Sequence, residues 1–179
     1  MTKKIQSMVI IAMFAAIISI VSVIPTGIYI MGIPVTLQTF ACFLTGYVLG
    51  CRNGVRAVII YILLGLVGLP VFSGFKGGPG VLLSVTGGYI VGFIVIAMFA
   101  GMAKKRENVL KVMAVSFMGL VICYIIGTIW FSFVSKTAVN TAFMVVTLPC
   151  LPKDVLSMVA AYMVGKKMDK SLKYIKRDI

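Results

Sequence analysis

Histidine is absent from this chain, and acid nearly so: four Asp and Glu stand against 17 Lys and Arg in 179 residues. The side chain most often used for proton transfer near neutral pH is missing, and the remaining carboxylates are too few for an obvious acid and base pair. An enzyme is therefore not expected. No G-x-x-x-x-G-K-[ST] string occurs, which excludes a phosphate loop and with it an ATP-driven pump within this one chain. Cys42, Cys51, Cys123 and Cys150 are scattered, with no C-x-x-C pair and no zinc-ligand spacing. They read as small apolar helix residues, and neither a metal nor a cofactor is expected.

Charge of either sign is also scarce. Charged residues make up 12% of the chain and hydrophobic ones 61%, with a mean hydropathy of +1.13, where a soluble domain carries roughly 25% charge. That composition is an integral membrane protein's. Apolar runs fall at about 5–24, 35–51, 56–71, 80–103, 109–134 and 152–168, each long enough for a spanning or near-spanning helix. The expectation is an all-α membrane protein, one domain over residues 1–179 with six transmembrane helices. The start, "MTKKIQSMVIIAMFAAIISIVSVI", has the basic end and apolar run of a secretory signal but no convincing A-x-A cleavage site, and it reads as the first helix.

An even number of spans returns both termini to one side. Lys3, Lys4, Arg52, Arg56, residues 104–106, Lys111 and the basic residues from Lys166 onward all fall at one face of this layout, fourteen of the 17. The positive-inside rule makes that face cytoplasmic, with the N- and C-termini there and the protein in the cell membrane. The charge suits anionic lipid; no nucleic-acid recognition element accompanies it.

Only Lys76, Lys136 and Lys153 lie away from that face, together with Asp154. Asp154 precedes Lys166 by twelve residues, so it stands roughly 18 Å along a helix from the inner interface, within the membrane. An intramembrane acid is a functional candidate, although after Pro152 and Lys153 it also reads as a helix N-cap. The stretch "GLPVFSGFKGGPGVLLSVTGGY", Gly68 to Tyr89, breaks the third run before it has crossed the bilayer. Irregular backbone at that depth is tolerated only when buried in protein or lining a water-filled cavity. A glycine-rich outer loop over a ligand cavity follows, its glycines allowing close approach of a ligand or of neighbouring helices. Gly46 with Gly50, and Gly88 with Gly92, are small-xxx-small pairs suited to helix packing.

The motifs "IPVTLQTFACFLTGYVLG" at 33–50, "GLPVFSGFKGGPGVL" at 68–82, "TGGYIVGF" at 86–93 and "LPKDVLSMVAAYMVG" at 151–165 resemble those of the BioY family, the biotin-binding S components of energy-coupling factor (ECF) vitamin transporters. The resemblance covers nearly the whole chain. It implies six helices, biotin bound near the outer face, and partnership with a transmembrane T component and two cytoplasmic ATPases. It also implies that Ala12 and Ala16, an A-x-x-x-A pair, dock on the T component, unless they pack inside the bundle. In the family's P-x-D motif, here Pro152 to Asp154, the acid looks toward the biotin ring system.

Biotin offers ureido N–H donors, an apolar thioether ring and a carboxylate. Asp154 is expected to accept the ureido N–H groups, with Gln38, Thr86 or the backbone of Gly77 and Gly78 as polar partners. Phe72, Tyr89, Tyr124 and Trp130 are the candidate apolar walls. Many family members carry a lysine one turn after the acid, where this chain has Ser157, and Ser84 and Val85 replace a common Gly-Pro. Either Lys153 or Lys76 then takes over the ligand carboxylate, or the ligand differs. The alternatives are an S component for another vitamin or a biotin precursor, and a membrane assembly protein without transport.

Overall fold

In hydrocarbon a backbone must satisfy its own N–H and C=O groups, so apolar runs become helices. The computed structural model describes residues 3–30 and 33–177. Helix α1 spans Lys3–Val23 and is followed by a hairpin of β1 (Pro25–Ile30) and β2 (Ile33–Thr36). Then come α2 (Gln38–Leu66), the short α3 (Pro79–Leu83), α4 (Gly87–Ala103) and α5 (Val109–Ser135). The chain finishes with α6 (Val139–Ala142), a π-helical turn at Phe143–Thr147, and α7 (Leu148–Arg177).

Helix α2 is two arms joined by a reversal. Gly50 departs from helical geometry at φ 77°, ψ 176°, in the region where glycine alone is unstrained. After it the chain runs back on itself. A Cβ on Gly54 would stand 3.2 Å from Gly46 Cα, and Gln38 Nε2 donates to the Tyr61 hydroxyl at 2.6 Å. Both pairs are centred on Gly50, the signature of antiparallel arms. The two arms, α1, α4, α5 and α7 make six helical segments. The turn falls at Gly50, slightly before the 52–55 gap expected from hydropathy, and Gly50 serves as a hinge and not as a packing glycine.

Helix α2 packs on α1, α4 and α7, and α4 packs on α5. Missing side chains set those approaches. A Cβ on Gly46 would meet the Ala97 carbonyl of α4 at 2.5 Å, one on Gly92 the Cys123 sulfur of α5 at 2.5 Å, and one on Gly88 the Trp130 Cβ at 2.3 Å. Large apolar side chains such as Leu63, Val67, Phe133, Leu156 and Met163 remain exposed around this core. Four helical stretches, with α2 counted over its whole length, are long and apolar enough to cross a membrane, and α4 is a shorter apolar one. The protein is a multi-pass membrane protein whose exposed apolar surface meets lipid.

Two elements depart from the expected layout. The β1–β2 hairpin pairs antiparallel, Ile30 opposite Ile33 and Pro25 opposite Thr36, with an irregularity between Pro25 and Tyr29; its β-branched and aromatic residues favour strand. The last span is also longer than expected, because residues 139–151 are already helical. Pro152 therefore lies inside α7, and Asp154 is not an N-cap.

The α2–α4 approach generates a prediction. Gly46→Val pushes methyl groups against the Ala97 carbonyl, which belongs to a rigid helix, and should cost about 1 to 3 kcal/mol by overpacking. Thermal unfolding of the purified variant in detergent should show a lower midpoint. An unchanged midpoint would mean the interface has unused room.

Candidate functional site

Helix α7 carries Asp154 into the bundle, where the residue is only 4% exposed. A carboxylate so placed is costly unless paired. Two groups hold it. The Tyr124 hydroxyl, from α5, donates to Oδ2 at 2.6 Å, and the Lys153 ammonium lies 2.5 Å from Oδ1. The lysine contact is an ion pair, and Oδ1 has no other partner among the described residues. Lys153 is itself positioned by donating to the Thr36 carbonyl at 2.9 Å, which ties α7 to the end of β2. Ser157, one turn beyond the acid, is buried.

The glycine stretch closes over this acid. Phe72 is 1% exposed, its ring edge-on to Tyr61 at a centroid distance of 5.5 Å. A Cβ on Gly65 would fall 2.1 Å from the same ring. Beside Phe72, the Val71 carbonyl lies 2.7 Å from the Ser22 hydroxyl of α1. Phe72 and Lys76 exchange backbone hydrogen bonds at 2.9 and 3.3 Å around a tight turn, and Gly78 donates to the Gly65 carbonyl at 2.7 Å. Backbone conformation explains the glycines: Gly74 and Gly78 have φ of 74° and 91°. Gly77 is excluded from bearing a side chain because a Cβ would stand 2.4 Å from the Leu69 carbonyl. The glycines serve the loop's own fold first, bringing backbone against backbone.

Loop, α2, α4, α5 and α7 enclose a cavity of about 670 Å³, within the range of small-molecule sites. Of the residues singled out from the sequence, Gln38, Phe72, Gly77, Thr86, Tyr89, Tyr124, Lys153 and Asp154 line it. Gly78 and Trp130 do not. The Trp130 indole donates to the Ser84 carbonyl at 2.9 Å and packs on Gly88, so it bolts the end of the glycine stretch to α5. The Tyr89 hydroxyl lies 3.0 Å from that of Thr147, which in turn lies 2.7 Å from that of Thr128. This leaves the Tyr89 ring as a wall. Ala12 and Ala16 do not line the cavity; they are exposed on α1 with Met8, Met13 and Ile20 and are not packed inside the bundle.

Several lining residues were not anticipated, among them Thr39, Ser73, Phe93, Thr147 and Cys150. The last two carried a readable signal. Thr147, Cys150 and Asp154 are spaced i, i+3, i+7, one face of a helix, hidden because the helix was taken to begin later.

Comparison with known proteins places these features in a group. The sequence model of the BioY family matches residues 1–174. The biotin transporter BioY of Thermotoga maritima is 40% identical over 139 residues, covering 77% of this chain and 82% of that protein. Biotin transporter BioY2 of Lactococcus lactis subsp. cremoris is 30% identical over 175 residues, covering 96% and 94%. The crystal structure of the S-component for biotin from an ECF-type ABC transporter superposes with a TM-score of 0.85 at 25% identity, covering 95% of each chain.

The loop's packing yields a second prediction. Gly77→Val cannot keep the contact with the Leu69 carbonyl, so the turn at 68–78 should lift while α2 and α4 stay intact. Hydrogen exchange should show faster amide exchange confined to that stretch. Equal protection in variant and wild type would show that the loop tolerates a side chain there.

Proposed function

This chain belongs to the BioY family, and we propose that it is the biotin-binding S component of an ECF-type vitamin uptake transporter. The observation that carries the site assignment is Asp154 Oδ1, a buried carboxylate oxygen of a cavity-lining residue, in ion-pair contact with Lys153 and with no further partner among the described residues, so that acceptor capacity remains on it. A ureido N–H would use that remaining acceptor site. Asp154 accepts from the ureido group, and the Tyr89 and Tyr124 rings, which meet edge-on at 6.4 Å, pack against the apolar thioether ring. Gln38 and Thr86 stand as polar partners on the same cavity, and Gly77 holds the loop backbone close. The work is binding and transport, with no bond made or broken in the ligand.

The energy for uptake comes from partners: a transmembrane T component and two cytoplasmic ATPases, since the chain has no phosphate loop of its own. Ala12 and Ala16 form the small-residue strip on which the T component packs. The end of the bundle that carries Gly50, Arg52 and Lys104–Arg106 faces the cytoplasm with both termini, and the glycine loop faces outward.

Two measurements test this reading. Asp154→Asn keeps the shape but turns one acceptor into a donor, which should cost about 1.5 to 3 kcal/mol, the scale of a charge-assisted hydrogen bond. Biotin affinity in a titration of the purified protein should fall at least tenfold while the protein remains folded; unchanged affinity would remove Asp154 from the site. Replacing Ala12 and Ala16 together with leucine should leave biotin affinity intact and abolish copurification with the T component and ATP-dependent uptake. Retained uptake would place the docking surface elsewhere.

A further inference from the structure

Two cations line the cavity, Lys76 and Lys153, and they are not equivalent. The Lys153 ammonium is in ion-pair contact with Asp154 and donates to the Thr36 carbonyl, so its charge is offset and its direction fixed. Lys76 is exposed on the glycine loop, and among the described residues its ammonium has no hydrogen-bond or ion-pair partner. Its backbone is nevertheless held, because the paired hydrogen bonds with Phe72 anchor it to a ring that is fully buried. It is a free charge on a fixed base at the mouth of the site.

We propose that Lys76, and not Lys153, receives the ligand's carboxylate, so that biotin enters with its ureido ring toward Asp154 and its acid tail toward the loop. The proposal rests on the reading of this chain as a biotin-binding subunit. Electrostatics favour that orientation from both ends. Asp154 repels a second carboxylate from the deep end, where the Lys153 charge is already spent on it. At the mouth, the carboxylate keeps part of its hydration and meets an unopposed ammonium, which avoids the cost of burying another anion. Biotin's flexible aliphatic chain then crosses the apolar middle of the cavity beside Phe93 and Ile90.

The test is the ratio of affinities for biotin and biotin methyl ester, which share the ring system and differ in charge at the tail. Wild type should prefer biotin by about tenfold. Lys76→Met should bring that ratio close to one by weakening biotin alone, and Lys76→Arg should restore it. Lys153→Met should weaken acid and ester together, because it disturbs Asp154, and should leave the ratio near the wild-type value. Because the ratio is taken within each variant, a partial loss of folded protein cancels. If Lys76→Met keeps the preference, or Lys153→Met is the variant that loses it, the assignment to Lys76 is overturned while the biotin reading stands. If wild type binds neither compound, both fall.

Discussion

A single carboxylate inside a membrane bundle has to be neutralised, and the meeting of α5, α7 and β2 is organised by that demand. Desolvating an unpaired charge is costly enough that such groups pair or lose their charge. Asp154 is met from its own helix by Lys153 and from α5 by Tyr124. Lys153 in turn holds the Thr36 carbonyl at the end of β2. Helices α5 and α7 otherwise touch far less than α4 and α5 do, so the Tyr124–Asp154 bond is a principal polar link across that seam. The carboxylate thus holds the wall of the cavity together while keeping acceptor capacity on Oδ1 beyond its contact with Lys153. A group can serve both ends only because a carboxylate has more acceptor sites than these two neighbours use.

The glycine stretch obeys the companion constraint, that irregular backbone near membrane depth must be covered by protein. It meets the constraint by folding onto itself and onto α2. Phe72 fills the space left by Gly65, Gly78 donates to the Gly65 carbonyl, and Gly77 rests against Leu69 and Gly68. A loop packed this way presents a defined inner surface without a sheet or long helix beneath it. Trp130 fixes its far end through the Ser84 carbonyl, which explains an aromatic residue near the site but outside its lining.

Hydropathy made the six spans and the buried acid legible, because a crossing helix needs a local run of apolar residues and a charge within one stands out. The motifs around the loop and around Asp154 made the family legible. What escaped was set by three-dimensional context. Pro152 looked like a helix boundary because proline lacks the N–H of a helix interior, but neighbouring helices and local π geometry tolerate it in a membrane bundle. Here a π-helical turn at Phe143–Thr147 shortly precedes it. That turn continues the helix upstream, removes the N-cap reading of Asp154 and brings Thr147 into the cavity wall. Gly50 looked like one of a packing pair because its spacing from Gly46 is right; only its positive φ distinguishes a reversal from a contact, and φ is not written in spacing.

Helix α1 is tied to the loop at its last turn. Its exposed alanine face lies away from the cavity, yet its last turn carries Ser22, whose hydroxyl stands 2.7 Å from both the Ile18 and Val71 carbonyls. A serine has one proton, so the bond to Val71 and the bond back to its own helix compete for it. Val71 adjoins Phe72, the ring that seats the glycine loop. The hydroxyl thus joins α1 to the loop through a contact that has a ready alternative partner within α1 itself. The same helix therefore presents an exposed small-residue face at Ala12 and Ala16 and, at its last turn, a polar contact to the loop that covers the cavity.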